Sequence, residues 1–212
     1  PYKDDLKVRN NKGDHWTNLR NCAYFPVFEK PKILWGELSD VPKFAYDEKG
    51  MFAEATLFAM VGNHLKYLLA VLNSNLALWY FNQITTTSGM GTSRWKKYKI
   101  EQIPIPEVSQ ETELKFENIS SALIFVNDPE QPPIIENINQ EKLISIFEDV
   151  ANMMVYEHYF EEEMKAKELD VLQFITDKTF PDISEMNPEE KKATIQKVYY
   201  ELQQKDNPIR NR

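Results

Sequence analysis

A short stretch between residues 94 and 99 concentrates cationic and aromatic side chains. Its members are Arg94, Trp95, Lys96, Lys97, Tyr98 and Lys99. Gly89 and Gly91 lie just before it and give the backbone freedom to move. Cations on such a backbone attract a phosphate chain, because binding it releases condensed counterions. We therefore predict a DNA-contacting loop over residues 88–99, and we include Ser88 and Ser93 in the candidate set.

The cations of this loop could work in two ways. A cationic group can hold a phosphate, which makes affinity fall as salt rises, or it can grip guanine with about 1–3 kcal/mol of discrimination. We favour phosphate contact for most of Arg94, Lys96, Lys97 and Lys99. A structural alternative is that the two aromatic residues, Trp95 and Tyr98, pack on a sheet while the cations only keep the loop solvated.

A second candidate surface lies between Trp35 and Phe52, where Lys43 and Lys49 occupy turn regions. The major groove of DNA admits a two-stranded ribbon, so hairpin tips can enter it. We therefore add Lys43 and Lys49 to the predicted DNA-binding residues.

The residue patterns that support catalysis or hold a cofactor do not occur. The six glycines form no phosphate-cradling loop, and the base-gripping tetrad of an adenine methyltransferase is missing. Three histidines, His15, His64 and His158, are scattered, and the single cysteine, Cys22, lies beside aromatic residues. We expect structural or solvent-facing roles for these four residues. The chain is expected to contain no catalytic residue, no metal site and no cofactor.

Charge divides the chain into unequal halves. Residues 1–106 hold 14 Lys and Arg against 10 Asp and Glu, a net charge of +4, and residues 107–212 hold 11 against 23, a net charge of −12, so the total is −8. Only the first half suits DNA, and the second must point away from it or pack on protein. No apolar run is long enough to cross a bilayer, and one cysteine favours a reducing compartment. We expect a cytoplasmic protein without membrane contact, cut from a longer chain.

Short strands are the first elements expected to position the candidate loop. Aromatic and β-branched residues cluster in four runs that predict a small antiparallel sheet, at residues 23–28, 32–35, 43–46 and 56–61. Gly50 ends a predicted hairpin turn at residues 47–50, where a positive φ favours glycine.

Apolar residues recur at helical spacing in four longer segments, at residues 63–85, 110–126, 140–167 and 188–202. Asn63 is the expected N-cap of the first helix, and Asn187 with Pro188 is expected to start the last. The predicted fold class is α+β, a small and mostly antiparallel sheet with a long packed helix, followed by an α-helical C-terminal segment. We divide the chain into a DNA-contacting domain at residues 1–106 and a helical bracing segment at residues 107–212.

Four sequence blocks, in their order along the chain, resemble the TaqI-like C-terminal specificity domain. They are FEKPKILW at residues 28–35, FAYD at 44–47, LKYLLAVLNS at 65–74, and the basic stretch from 94 that ends in IPIP at 103–106. The resemblance covers residues 16–106. A helix at residues 154–163 also resembles one that follows this module in such enzymes.

The resemblance implies a target-recognition module of type IIG restriction-modification enzymes and related adenine DNA methyltransferases. Such a module lies against double-stranded DNA, presents side chains to base edges, and positions the duplex so that a neighbouring domain can extrude an adenine. It also implies a methyltransferase region, and often a nuclease domain, N-terminal to this module in the parent enzyme. The parent enzyme is expected to use S-adenosylmethionine and Mg²⁺, while this chain is itself non-catalytic.

Two other functions stay open. The acidic helices could form a protein-interaction module in which an apolar stripe binds a partner helix. That stripe consists of Leu143, Phe147, Val150 and Met154. The other alternative keeps DNA recognition but assigns it to a type I specificity subunit or to a phage-defence methyltransferase.

Overall fold

The computed structural model of the chain describes residues 2–9, 13–18, 25–54, 56–85 and 93–212. Cys22, Ser88, Gly89 and Gly91 lie outside these residues, as do two residues of the strand expected at 23–28. For the described residues of that segment the prediction of a strand is wrong, because Phe25–Val27 forms a 3-10 turn. Pro26 at its centre has no N–H to donate to a sheet.

In the described residues, a short helix precedes five short strands. They are α1 (Lys3–Val8), β1 (Lys32–Gly36), β2 (Leu38–Ser39), β3 (Ala45–Asp47), β4 (Leu57–Met60) and β5 (Ser93–Arg94). The first sheet has the order β3-β1-β4, and both pairings are antiparallel. β1 is central because it pairs with β3 along one edge and with β4 along the other, and its side chains Ile33 and Trp35 are buried on one face. β2 and β5 form a separate antiparallel pair, which we call the ribbon.

The turn at residues 47–50 differs from the predicted hairpin. Gly50 has the expected positive φ of 78°, but β3 and β4 both pair with β1 and not with each other. The carboxylate of Asp47 accepts hydrogen bonds from the backbone N–H groups of Lys49 at 3.0 Å and Met51 at 2.9 Å. It also forms a buried ion pair with Lys32, its register partner on β1. These contacts hold the turn against β1.

One predicted helix at residues 63–85 is two helices, α2 (Leu65–Asn73) and α3 (Asn75–Ile84). Ser74 separates them because its backbone is extended, with ψ of 155°, and its Oγ accepts a hydrogen bond from the N–H of Ala77 at 3.1 Å as the N-cap of α3. The predicted N-cap, Asn63, is also wrong. His64 precedes α2 instead, in a left-handed conformation.

The remaining helices follow the ribbon. They are α4 (Lys97–Ile100), α5 (Gln110–Val126), α6 (Gln140–Tyr159), α7 (Glu161–Ala166) and α8 (Pro188–Leu202), with a 3-10 turn at Leu172–Phe174. The predicted bounds of α5 and α8 are confirmed, and Asn187 and Glu190 form a reciprocal capping box. The helix expected to reach residue 167 breaks at Phe160, whose backbone leaves the helical region. The α+β class is confirmed.

Two buried clusters share helix α2. The sheet core contains Ile33, Trp35, Phe44, Leu65, Leu69, Leu72, Phe81, Trp95, Ile100 and Ile103. The helical core takes Tyr67, Ala70 and Val71 from the other face of α2 and fills the space among the helices that follow residue 107. Helix α2 therefore belongs to both parts of the chain, and the boundary after residue 106 stays a prediction.

The apolar stripe on α6 is part of the helical core. Leu143, Phe147, Val150 and Met154 are all buried against the chain's own helices. The interaction-module alternative required this stripe to face a partner helix, and that alternative is wrong. Because the stripe is buried inside the chain by the hydrophobic effect, it is not available to bind a partner helix.

We expect the Lys32–Asp47 pair to make stability depend on pH. Burial raises the pKa of Asp47, but hydrogen bonds from Lys32 and from the N–H groups of Met51 and Lys49 outweigh this, so the pKa lies below its usual value. The pair therefore stabilises the fold above about pH 4, the pKa of an unfolded Asp, and stops doing so as pH falls through the lowered pKa. Urea unfolding at neutral pH should show a loss of about 3–5 kcal/mol for Asp47→Asn, since Lys32 stays buried without its partner.

The difference between wild type and Asp47→Asn should shrink as pH falls below about 4. Asp177→Asn, at an exposed position, is the matched control and should change little at either pH. A gap that stays constant with pH would contradict the role assigned to Asp47.

Candidate nucleic-acid interface

The ribbon presents alternate side chains to opposite sides. Leu38 lies across from Arg94, and Ser39 lies across from Ser93. Ser93 and Trp95 are buried, whereas Arg94, between them, is exposed. A period of two along a strand produces this pattern, so backbone geometry points Arg94 outward.

The indole of Trp95 holds the ribbon in place and faces the interior. It is 1% exposed and stacks on Phe81, with the ring centroids 3.8 Å apart and the planes at 4°. Its Nε1 donates to the carbonyl oxygen of Ser39 at 3.1 Å, and Nε1 of Trp35 donates to the carbonyl oxygen of Trp95 at 2.8 Å. Including Trp95 among the DNA-contacting side chains is therefore corrected, because contact would require the sheet core to open.

Two other candidate residues, Ser93 and Tyr98, also differ from expectation. Ser93 is buried, so its hydroxyl does not face a ligand. Tyr98 is the second aromatic residue of the structural alternative, but this residue is 57% exposed and does not belong to the sheet core. The structural alternative is thus right for Trp95 alone. Ser88 lies outside the described residues.

Arg94 and Lys96 share one carboxylate on the outer side of the ribbon. Oε1 of Glu37 lies 3.3 Å from Nη1 of Arg94 and 3.8 Å from Nζ of Lys96. The backbone N–H of Trp95 donates to the carbonyl oxygen of Glu37 at 2.7 Å, which holds the two segments together at this point. One acidic residue between two cations leaves a net positive group whose side chains have defined neighbours.

The two lysines of helix α4 differ in how free they are. Lys97 is largely exposed, and its Nζ lies 3.5 Å from Glu101 in a helical pair that contributes little energy. Lys99 donates to the carbonyl oxygen of Ile84 in the last turn of α3, where a helix favours positive charge. Lys97 is therefore the available cation, and Lys99 already stabilises a helix end.

Lys43 and Lys49 line a cleft of about 790 Å³ between β3, the junction of α2 with α3, the C-terminal end of α5 and the middle of α6. Lys43 pairs with Asp40 at 3.5 Å, and Lys49 pairs with Asp128 at 3.7 Å. Glu148 lines the same cleft, and burial together with nearby Asp149 raises the pKa of Glu148. A cleft with these carboxylates should attract phosphate less strongly than the ribbon does. We therefore do not count Lys43 and Lys49 as part of the ribbon surface, and their contact with DNA stays a prediction.

Two functional candidates were missed in the sequence, Glu37 and Leu38. Leu38 is 62% exposed and Glu37 carries the shared carboxylate. No local pattern marks them, because their partners lie more than fifty residues later in the chain. An acidic residue followed by a leucine after a strand is a common sequence and predicts nothing by itself. Only the pairing of β2 with β5 brings Glu37 and Leu38 next to Arg94.

The three histidines have protein partners. His15 bonds to Thr17 at 2.7 Å, His64 pairs with Glu113, and Nε2 of His158 lies 3.0 Å from the hydroxyl of Tyr67. Burial lowers the pKa of His158. Within the described ranges, no cluster of three or more His, Cys, Asp or Glu could hold a metal ion. No helix in the described part of the chain combines the length and apolar character needed to cross a bilayer.

Comparison with known families gives one match. A family model described as the TaqI-like C-terminal specificity domain matches residues 2–105. The matched range contains the whole ribbon and ends inside the segment Ile103-Pro104-Ile105-Pro106. The resemblance inferred from four sequence blocks is therefore confirmed. No curated protein matches the chain.

Trp95→Phe should test whether the indole hydrogen bond holds the ribbon. The phenyl ring can still stack on Phe81, but the carbonyl oxygen of Ser39 loses its buried donor, at a cost of about 1–3 kcal/mol in the free energy of unfolding. Trp79→Phe makes the same change at a side chain that is 59% exposed, and we expect it to stay within about 0.5 kcal/mol. Equal losses in urea unfolding would show that the indole N–H of Trp95 is not needed.

Proposed function

We propose that this chain binds duplex DNA through the ribbon and helix α4. Residues 2–105 match the family of TaqI-like C-terminal specificity domains, and this match supports a DNA-recognition domain of a restriction-modification enzyme. One observation carries the assignment to this surface. Arg94 and Lys96 lie on the outer side of a ribbon that buried indoles hold rigid, and Lys97 follows directly on α4. Rigid backbone positions cations more precisely than a mobile loop does.

The charge distribution supports one orientation on DNA. The first half of the chain has a net charge of +4 and the second half of −12, so the α5–α8 side would be repelled by phosphates. The ribbon belongs to the positive half. We propose that the duplex lies along the ribbon and that the acidic helices brace the sheet core from the other face of α2.

The finer role of the domain follows from the family. We propose that the chain serves a type IIG enzyme or a related adenine DNA methyltransferase and is itself non-catalytic. It would position the duplex so that a methyltransferase domain of the parent enzyme can extrude an adenine, with cleavage in a nuclease domain. S-adenosylmethionine and Mg²⁺ would be bound by those domains, and the complex would work in the cytoplasm.

The proposal predicts salt-dependent binding that depends on two lysines. Lys96→Gln/Lys97→Gln should weaken binding to a short labelled duplex and reduce the slope of log K against log salt by about 1.8, since each lost phosphate contact removes about 0.9. Fluorescence anisotropy over a salt series measures both quantities.

The matched control is Lys178→Gln/Lys205→Gln, which removes the same charge from two exposed positions in the acidic half. It should leave the slope unchanged, because the proposed orientation places the acidic half away from the duplex. Equal effects of the two double variants would mean that net charge alone governs binding, and an unchanged slope in Lys96→Gln/Lys97→Gln would remove this surface from the interface.

A further inference from the structure

We propose that Arg94 reads a guanine in the major groove and that Glu37 is the positioning residue that orients its guanidinium. This inference rests on the proposed function and deepens it. Among the cations of residues 94–99, we assign base reading to Arg94 and phosphate contact to the cations that bind DNA beside it.

The contact between Glu37 and Arg94 leaves the guanidinium able to grip a base. Oε1 of Glu37 lies 3.3 Å from Nη1 of Arg94, whose side chain is 61% exposed. A guanidinium has five N–H donors in a planar fork, so donors remain after one contact. Two of them match the O6 and N7 acceptors of guanine, which is the commonest specific contact made by arginine.

Glu37 is itself well placed to hold that orientation. Its side chain is only 34% exposed, and its backbone carbonyl accepts from the N–H of Trp95 at 2.7 Å. Trp95 in turn is fixed by stacking on Phe81. The backbone of Glu37 is therefore held in place, and its carboxylate can restrict the orientation of the Arg94 guanidinium. A guanidinium that is already oriented loses less conformational entropy when it binds a base.

The surroundings of Arg94 suit a base edge better than a phosphate. A carboxylate beside the guanidinium repels a fully charged phosphate more strongly than it repels the uncharged acceptors of guanine, which carry only partial negative charge. Leu38 lies directly across the ribbon and is 62% exposed. An apolar side chain beside the reading residue matches the methyl groups that thymine presents in the same groove.

Lys97 provides the contrast within the same surface. Its partner, Glu101, lies one helical turn away and is mostly exposed, so the pair opens readily in water. An exposed ammonium with a weak ion pair suits a phosphate, which needs charge but not a fixed direction. Arg94 and Lys97 should therefore affect binding in different ways.

The experiment uses the whole chain and a library of duplexes with a randomised central segment. Bound duplexes are sequenced for wild type, Arg94→Lys, Glu37→Gln and Lys97→Gln, and anisotropy then measures affinity for the enriched duplex and for a shuffled one. Circular dichroism confirms that each variant is folded. Glu37→Gln keeps the test decisive if Arg94→Lys does not fold.

Arg94→Lys should abolish the preference for guanine at one position, a loss of about 5- to 150-fold against other bases, because an ammonium cannot make the fork contact. Glu37→Gln should lower affinity for the enriched duplex and raise it for the shuffled one, because a repelling carboxylate has gone. A purely structural residue would lower both. Lys97→Gln should weaken both duplexes by the same factor and leave the base preference intact.

Three results would overturn the inference. Arg94→Lys could weaken all sequences equally, which would assign Arg94 to phosphate, or Glu37→Gln could change both affinities in the same direction. Wild type could also bind duplexes with no base preference, which would leave DNA binding in place but remove the reading role. Absence of any binding at low salt would instead reject the proposed function, and this inference with it.

Discussion

Two buried indole N–H groups, those of Trp35 and Trp95, hold the proposed recognition surface together, because each donates to a backbone carbonyl of the facing segment. The ribbon has only two residues in each strand, too few to be stable alone. Its order comes from these bonds and from the stack of Trp95 on Phe81, which ties it to the sheet core. The positions of the outward side chains of the ribbon depend on this buried layer, because outward and buried side chains alternate along the same backbone.

Helix α2 links this surface to the acidic half of the chain. Leu65, Leu69 and Leu72 face the sheet core, and the opposite face of the helix enters the helical core. Polar contacts reinforce the junction, because Lys66 donates to Oγ of Ser121 at 2.9 Å and Ser120 donates to the carbonyl oxygen of Lys66 at 2.7 Å. One helix thus separates a positive half from a negative half and holds both in a defined relation.

The candidate residues have different roles because their backbone positions differ, although they are neighbours in sequence. Residues 93 to 97 contain a buried serine, an exposed arginine, a buried tryptophan, a partly exposed lysine and an exposed lysine. Strand alternation explains the first four, and the start of α4 explains the last. Lys99 turns back to the end of α3, so a run that reads as uniformly basic contains cations in at least three environments.

Local signals were sufficient for the α+β class, the bounds of α5 and α8, and the positive φ of Gly50, because capping, periodicity and turn chemistry act over a few residues. The family was recognised in a different way, from four sequence blocks in their order along the chain. The break at Ser74 was missed because its cap interrupts an apolar pattern that is otherwise continuous. The burial of Trp95, the central place of β1 and the pairing of Glu37 with Arg94 depended on tertiary contacts. These join segments tens of residues apart, and no short pattern in the chain records which segments will meet.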